Sequence, residues 1–177
     1  MYEENAVLHA LCTRRSVRSY DSTKPVEQEK IQAVLTAGQY APTGMNRMPT
    51  KFVVIRNPEM LHQLSKQNAE IMGAADRDPF YGAPTVVIVF ADSEQGTCVE
   101  NGSLVMGNLM NAAHALGVDS CWIHRAREVF DSEEGKELKK QWGVPEEYIG
   151  VGHCVLGYRD CEYPTAKPRK DGFVIRV

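Results

Sequence analysis

The stretch Thr85-Val86-Val87-Ile88-Val89-Phe90-Ala91 decides the fold, because it contains the longest unbroken apolar run in the chain. Most of its residues are β-branched, and β-branched side chains favour extended backbone. The run is far shorter than the roughly 20 apolar residues that span a bilayer. It therefore predicts the strongest strand of the sequence.

Three further runs predict strands on the same grounds. Phe52-Val53-Val54-Ile55 lies between two basic residues and is predicted to be a central strand buried on both faces. Residues 120–123 and 149–156 are predicted to be the third and fourth strands. Residues 173–177 also have a strand-like sequence. The extended polar arm before them makes them a candidate for addition to a sheet edge, with exchange onto a partner subunit as one arrangement.

Helices are predicted between these strands from apolar residues at helical spacing. The first covers residues 4–14 and ends in a cluster of positive charge. The second follows Pro25 and must stop before Pro42, because the residue before a proline disfavours the helical region. Ala41-Pro42-Thr43-Gly44-Met45-Asn46 is therefore predicted to be a turn. Asn57 is predicted to cap a third helix.

The second half of the chain contains the longest predicted helix, which ends at Gly117 and is rich in small and flexible residues over 106–113. These residues suit close packing against another helix, either within the core or across a dimer interface. Residues 67–83 lose the helical period and are expected to be a mobile excursion. Asp131 with Glu134 is expected to form the capping box of a short helix.

Composition excludes several classes of partner and location. The chain has 177 residues and a formal net charge of −3, so it lacks the basic character expected of a nucleic-acid-binding protein. It has no apolar run long enough for a membrane span and no hydrophobic signal core near its start, so we expect neither membrane insertion nor secretion. No repeat, linker or low-complexity stretch divides residues 1–177, which predicts a single domain.

The cysteines and histidines indicate a reducing compartment and no metal site. The five cysteines form an odd set with no C-x-x-C pair, which disfavours a disulfide framework and a zinc site. The five histidines are scattered, and no pair on a predicted helix has the spacing of metal ligands. We therefore expect a cytoplasmic protein that holds no metal.

Arg14-Arg15-Ser16-Val17-Arg18 concentrates guanidinium groups and a hydroxyl just past the first helix. Arginine binds phosphate oxygens through paired N–H donors, and the hydroxyl and free backbone amides can satisfy the remaining lone pairs. The segment is therefore suited to a phosphate, and a solvated basic turn is the equal alternative. Lys167-Pro168-Arg169-Lys170 is likewise an exposed tail unless it pairs with the first group as a clamp.

An ordered set of motifs resembles the nitroreductase family. The set begins with Arg14-Arg15-Ser16-Val17-Arg18-Ser19-Tyr20 and Ala41-Pro42-Thr43-Gly44-Met45-Asn46-Arg47-Met48-Pro49, followed by Phe52-Val53-Val54. It continues in family order with Ala83-Pro84, Ala112-Ala113-His114-Ala115-Leu116-Gly117, Ser120-Cys121-Trp122-Ile123, Leu156-Gly157-Tyr158 and Lys167-Pro168-Arg169. No single motif is specific, but together they cover nearly the whole chain.

This resemblance implies an α+β fold with a central, mostly antiparallel sheet flanked by helices. It also implies an intertwined homodimer that binds two FMN molecules at the subunit interface. The implied activity is hydride transfer from NADH or NADPH, through bound flavin, to a small electron-poor acceptor such as a nitroaromatic or a quinone. In such an enzyme the cofactor does the chemistry, and the protein supplies orientation and electrostatics.

The resemblance assigns one set of residues to the phosphate end of FMN. Family positions that hold the phosphate and the ribityl chain match Arg14, Arg15 and Ser16. Lys167 and Arg169 match a C-terminal basic pair that closes over the phosphate.

A second set is assigned to the flavin ring. The position matching Arg18 lies near N1 and O2, where a cation stabilises the negative charge that builds on reduction. Asn68 is matched to an asparagine at the pyrimidine side. A loop that reaches the flavin from the other subunit matches Pro42, Thr43, Gly44 and Asn46.

The backbone around Ile123, His124 or Arg125 is expected to aim an N–H at flavin N5. Many relatives have an acidic residue followed by glycine where His124-Arg125 stands, so this pair departs from the family pattern. His124 is a candidate proton donor to the acceptor, and a purely structural histidine is the alternative.

Two other functions compete with the reductase. A specialised flavin enzyme of the same fold, such as a dehalogenase or a flavin-consuming enzyme, would differ in the residues that cover the flavin. A non-catalytic flavin carrier or redox sensor would use Cys121 or Cys154 as its output, although cysteines in strands usually behave as small buried apolar residues. Turnover with NADH or NADPH separates the reductase from the carrier.

Overall fold

The computed structural model describes residues 4–177 and has an α+β architecture, with one sheet and helices on both of its faces. The strands are β1 (Thr50–Ile55), β2 (Thr85–Asp92), β3 (Asp119–Ile123) and β4 (Tyr148–Gly157). The helices are α1 (Ala6–Thr13), α2 (Gln28–Gln39), α3 (Pro58–Ile71), α4 (Cys98–Ala115), α5 (Ala126–Asp131) and α6 (Glu133–Gln141). The strand order is β1-β2-β4-β3 and each neighbouring pair is antiparallel, which confirms the predicted fold class. Across residues 4–177, no helix has both the length and the apolarity needed to cross a bilayer.

Strand β2 lies at the centre of the sheet, in agreement with its unbroken apolar sequence. Ile88 pairs with Val53 of β1 on one side and with His153 of β4 on the other. Residues 86–91 are completely buried. Because side chains alternate between the two faces of a strand, this burial requires a hydrophobic core on each face.

The two faces of the sheet contact separate cores. On one face, Phe90 of β2 packs edge to face against Phe130 of α5, with ring centroids 4.8 Å apart. On the other face, Val87 and Val89 belong to a cluster that includes Leu109 of α4. Removing these large apolar side chains from water is the main driving force for the fold.

Strand β1 is an edge strand, so the prediction of a central strand is wrong. Among residues 4–177 it pairs only with β2. Phe52, Val53 and Val54 are half-buried, whereas Ile55 is buried. A short β-branched run is compatible with either position, because its periodicity does not report how many neighbours the strand has.

Residues 173–177 form no strand within the described chain. Their apolar side chains are exposed, with Phe173 at 75% and Ile175 at 86% of full exposure. A strand needs a neighbour for its backbone hydrogen bonds, and this segment finds none among residues 4–177. The strand-like sequence is therefore not realised in a single chain.

Helix α3 is longer than predicted and includes the first residues of the expected mobile excursion. Its buried residues Leu64, Ser65, Asn68 and Ala69 keep helical spacing as far as the end of the helix. The prediction failed because Ser65 and Asn68 are polar and so hide the apolar period. The predicted cap at its start is confirmed, since Oδ1 of Asn57 accepts a hydrogen bond from the Met60 N–H over 2.9 Å.

The cap of the short helix α6 is Ser132 and not Asp131. The Ser132 hydroxyl oxygen accepts a hydrogen bond from the Gly135 N–H over 3.1 Å. Asp131 is instead the last residue of α5, a helix that the sequence analysis missed. Serine and aspartate are both good capping residues, and the capping-box pattern does not distinguish these neighbours.

Helix α4 approaches β4 closely at Gly102. A Cβ at this position would lie 2.5 Å from Cγ2 of Val151, far inside the normal contact distance of carbon atoms. Gly107, within the stretch of small residues predicted to allow close packing, has no atom within 4 Å of such a Cβ. The close packing of α4 against β4 therefore depends on Gly102 and not on Gly107.

His153 of β4 is completely buried beside aromatic rings. Its ring centroid lies 5.3 Å from that of Phe80 and 5.9 Å from that of Phe130. Neither ring nitrogen makes a hydrogen bond within residues 4–177. Burial lowers the pKa of His153 to about 4, and the nearby carbonyl groups of Ile123 and His124 oppose this shift only in part. The ring is therefore neutral at neutral pH.

We expect His153→Leu to weaken the dependence of the free energy of unfolding on pH. His153 binds a proton near pH 6.5 in the unfolded chain but only near pH 4 in the folded chain, so acid favours unfolding between these values. In the wild type this residue should lower the free energy of unfolding by about 1.4 kcal/mol at pH 5.5 and about 2.5 kcal/mol at pH 4.5, relative to pH 8. Leucine is similar in size and does not titrate. Urea unfolding of both proteins at the three pH values measures the difference. If the free energy of unfolding changes equally with pH in both proteins, the His153 ring has an ordinary pKa in the folded chain.

Candidate functional site beside strand β3

The basic segment 14–18 lies along the outer edge of β3. The Val17 N–H donates to the carbonyl oxygen of Ser120 over 3.1 Å, and Ser16 and Ser120 form an isolated parallel bridge. Strand β4 occupies the other side of β3, so the segment lies at the free edge of the sheet. Arg18 is exposed there.

Two arginines of this segment have donors without a partner among residues 4–177. Helix α1 ends at Thr13, and Arg14 adopts an extended conformation. Nη1 of Arg15 folds back and donates to the carbonyl oxygens of Cys12 and Arg14 over 2.9 and 2.7 Å. Nη1 of Arg14 and Nε of Arg15 are buried without a hydrogen-bond partner in the described part of the chain. Such donors call for an acceptor, because leaving a buried charged group unpaired is costly.

Asn68 presents an unpaired acceptor near the other end of β3. Its side chain is completely buried in α3, and its Nδ2 donates to the carbonyl oxygen of His124 over 2.7 Å. Oδ1 of Asn68 is buried and finds no hydrogen-bond donor among residues 4–177. This oxygen therefore lacks a hydrogen-bond donor, which a ligand N–H group would supply.

Together these unpaired atoms outline an elongated polar site. Ser120 and Ile123 lie about 10 Å apart along β3, at about 3.4 Å per residue. The arginines lie beside the first of these residues and Asn68 beyond the second. The site suits a ligand with an anionic group at one end and a polar ring bearing an N–H at the other. FMN has this distribution of charge and polarity, so the residues present fit the cofactor that the family resemblance implies.

The end of β3 supplies the backbone that the resemblance places beside the flavin ring. Ile123 is buried at the last position of β3, whereas the side chain of His124 is exposed. Arg125 adopts a left-handed conformation with φ of 72° just before α5. Glycine adopts this conformation without a Cβ penalty, so the backbone here suits the glycine that the resemblance leads us to expect at this position. Arg125 thus keeps a backbone conformation that suits glycine, although its side chain departs from the family pattern.

The predicted turn at Pro42, Thr43, Gly44 and Asn46 lies at the start of α4. The Gly44 N–H donates to Oδ1 of Asn101 over 2.8 Å, and Oγ1 of Thr43 accepts from the Met48 N–H over 3.0 Å. Asn46 adopts a left-handed conformation with φ of 54°. These hydrogen bonds hold the loop in a backbone conformation that residues other than glycine rarely adopt.

Within one chain, this loop and the arginine segment lie at opposite ends of α4. Gly44 contacts Asn101 near the start of the helix, whereas Oγ1 of Thr13 lies 2.8 Å from Nε2 of His114 in its last turn. At a rise of 1.5 Å per residue, Asn101 and His114 are about 20 Å apart. The loop also leads into β1, which is the edge strand opposite β3. The loop therefore lies away from the β3 site of its own chain.

The second basic group begins close to the first. Lys167 and Arg169 are exposed, but Tyr163 is fixed beside the arginine segment, because its hydroxyl oxygen accepts from the Arg15 N–H over 2.8 Å. The segment from Tyr163 to Lys167 spans at most about 14 Å. The start of the C-terminal arm therefore lies beside the arginine segment, and Lys167 is close enough along the chain to reach it.

Several polar residues that hold the 42–46 loop or the arginine segment in place were not predicted from the sequence. Asn101 carried a signal, because it is a polar residue on the buried face of α4. Tyr163 carried none, since its contact with Arg15 joins residues 148 positions apart, and His114 stands in a family motif that assigns it no role. A pairing over this distance leaves no local periodicity in the sequence.

Known proteins that are similar to this chain carry the same family name. The model of the nitroreductase family matches residues 11–158. A solved nitroreductase with bound FMN from Bacteroides fragilis is 30% identical, with a TM-score of 0.89, and the match covers 98% of this chain and 99% of that one. A solved nitroreductase with bound FMN from Desulfitobacterium hafniense is 26% identical, with a TM-score of 0.85 and the same coverage of 98% and 99%.

A relative known from its sequence leads to the same family. A protein of Methanothermobacter thermautotrophicus, provisionally named an NADH dehydrogenase/NAD(P)H nitroreductase, is 32% identical over 157 residues. This match covers 86% of the present chain and 76% of the relative. Since the family model spans most of the sequence, the chain belongs to the nitroreductase family.

Proposed function

We propose that this chain is an FMN-dependent oxidoreductase that transfers hydride from NADH or NADPH to a small electron-poor acceptor, such as a nitroaromatic or a quinone. The observation that carries the proposal is the row of unpaired buried polar atoms beside β3, from Arg14 and Arg15 to Asn68. Similar proteins support it, because two solved relatives at 30% and 26% identity contain FMN. A relative known from its sequence is provisionally named an NADH dehydrogenase/NAD(P)H nitroreductase.

The phosphate end of the cofactor would lie at the start of β3. Arg14, Arg15 and Ser16 would bind the phosphate through charge-assisted hydrogen bonds, which are shorter and stronger than neutral ones. Lys167 and Arg169 would close over the same group from the C-terminal arm. Bound FMN would supply the redox chemistry, accepting hydride from the donor and passing it to the acceptor.

The ring end would lie near Asn68 and the end of β3. Oδ1 of Asn68 would accept a hydrogen bond from the pyrimidine part of the ring, and the backbone of residues 123–125 would face N5. Arg18 would place its charge near N1 and O2 and so favour the reduced flavin. The exposed side chain of His124 is the candidate proton donor to the acceptor.

We further propose that the site is shared between the two chains of a homodimer. The loop with Thr43 and Gly44 lies away from the β3 site of its own chain, so only a second copy could bring it to the flavin. Helices α1 and α4 expose apolar side chains that a partner would cover, including Leu11 at 53% and Leu104 at 47% of full exposure. Residues 173–177 would then gain a neighbour by adding to an edge strand of the partner.

A redox sensor that uses its strand cysteines is opposed by their burial. Burial raises the pKa of Cys154 to about 12 and raises that of Cys121 as well. Only the thiolate is a good nucleophile, so both groups are unreactive at neutral pH. They also belong to cores on opposite faces of the sheet. The reductase therefore remains the favoured function.

The compartment and the domain organisation follow as parts of the same proposal. Three of the five cysteines are buried and all five are free thiols, which suits the reducing cytoplasm. Both hydrophobic cores are built around the same sheet, which supports a single domain over residues 1–177.

Steady-state turnover tests the proposed activity. The purified protein should oxidise NADH or NADPH in the presence of a quinone or a nitroaromatic, many times per bound flavin. Loss of nicotinamide absorbance at 340 nm measures this, with protein stripped of flavin as the control. A flavin-loaded protein that is not reduced by either nucleotide would contradict the reductase and favour the carrier.

A further inference from the structure

Tyr163 connects the C-terminal arm to the turn that carries the arginines. Its hydroxyl group accepts from the Arg15 N–H over 2.8 Å and donates to the carbonyl oxygen of Thr13 over 3.1 Å. These two backbone groups belong to the peptide units on either side of Arg14. A single hydroxyl therefore fixes both peptide units from which the Arg14 side chain projects.

His114 of α4 braces the same hydroxyl. The Thr13 hydroxyl donates to the carbonyl oxygen of His9 over 2.7 Å, so in its 2.8 Å contact with Nε2 of His114 it must accept. Nδ1 of the same ring lies 3.3 Å from the Tyr163 hydroxyl, whose single proton is already donated to the Thr13 carbonyl oxygen. Burial lowers the pKa of His114 below its ordinary value, in agreement with a neutral ring.

The ring of Tyr163 packs against two neighbouring side chains, those of His114 and Arg159. It stacks on the ring of His114, with centroids 5.9 Å apart and planes 13° from parallel. The guanidinium carbon of Arg159 lies 5.0 Å from the Tyr163 centroid, and Nη1 of Arg159 is 3.2 Å from the buried carboxylate of Asp119 at the start of β3. Tyr163 is thus fixed against α1, α4 and β3 together.

We propose that Tyr163 is a positioning residue for the phosphate end of the flavin site, because its hydroxyl orients the peptide units on either side of Arg14. The inference rests on the proposed function, since it takes the FMN phosphate as the ligand of the arginines. Nη1 of Arg14 is buried and unpaired in the described chain, and the two hydrogen bonds of Tyr163 fix the backbone from which this side chain projects. A turn that is ordered in advance does not have to be ordered on binding, which strengthens binding.

Binding of FMN and riboflavin to Tyr163→Phe tests the inference. Riboflavin has the same ring system and ribityl chain as FMN but lacks the phosphate. Phenylalanine keeps the ring contacts and removes only the hydroxyl, so we expect the dissociation constant for FMN to rise roughly tenfold and that for riboflavin to stay unchanged. Fluorescence titration of the full chain freed of flavin gives both constants. Tyr148→Phe is the matched control, because Tyr148 lies at the far end of β4 and pairs with Asp92.

The ratio of the two dissociation constants separates the outcomes. A roughly tenfold smaller preference for FMN in Tyr163→Phe, with no change in Tyr148→Phe, supports the positioning role. An unchanged preference, or equal weakening of both ligands, would overturn it and leave the proposed function standing. If the wild type itself shows no preference for FMN, the phosphate site is wrong and the inference fails with it.

Discussion

Replacement of Arg14 by glutamate is expected to remove FMN from the protein while leaving the fold intact. The change places a carboxylate where a buried, unpaired Nη1 now lies, so repulsion replaces attraction to the phosphate. Disrupting a buried charge pair costs about 3 to 5 kcal/mol, which corresponds to an affinity loss of at least about a hundredfold. Flavin absorbance per purified chain and the dissociation constant for added FMN measure the effect.

Two further variants provide a comparison for the FMN affinity of Arg14→Glu. Arg169→Glu should also weaken FMN binding, provided that the C-terminal arm closes over the phosphate as proposed. Arg77→Glu is the matched control, because Arg77 is an exposed arginine in the segment after α3. If Arg14→Glu retains FMN as tightly as Arg77→Glu does, then Arg14 is a solvated charge and its assignment to the phosphate is wrong.

Two inactive variants are expected to restore one another when combined in a heterodimer. The first carries Arg14→Glu, which damages the phosphate end of the site. The second carries Thr43→Tyr with Asn46→Asp, which damages the loop that we propose to serve the other subunit. In the heterodimer, one site combines both defects. The other takes its arginines from the second variant and its loop from the first, and is therefore intact.

Co-expression of differently tagged chains allows this heterodimer to be isolated. It should have about half the flavin content and activity of the wild type, because a two-fold symmetric dimer has one site per subunit. The two homodimers, purified in the same way, are the controls. A heterodimer as inactive as both of them would show that the arginines and the loop serve the same chain.

The positions of the main elements could be predicted because each has a local cause. The apolar run that forms β2, the cap at Asn57 and the stop before Pro42 all act through neighbouring residues. The side chains of the arginine segment suit a phosphate, but a solvated basic turn explains them equally well, so their assignment to FMN rests on the resemblance. The resemblance to the family then joins these parts into one proposed site.

The remaining features depend on contacts between distant parts of the chain. The edge position of β1 is decided by which strands pair with it, and its own sequence does not record them. Asn68 was placed in a loop because a buried polar residue interrupts the apolar period of α3. The left-handed conformation of Arg125 is set by the connection between β3 and α5. No propensity of arginine predicts it.

The identity of the released cofactor tests the central claim most directly. The protein is purified without added flavin and denatured, and the released chromophore is separated by chromatography against FMN, FAD and riboflavin standards. The donors of Arg14 and Arg15 suit a terminal phosphate dianion, which FMN has and FAD lacks. We expect FMN alone, at close to one molecule per chain. Recovery of FAD, or of no flavin even after reconstitution with FMN, would contradict the assignment of this site.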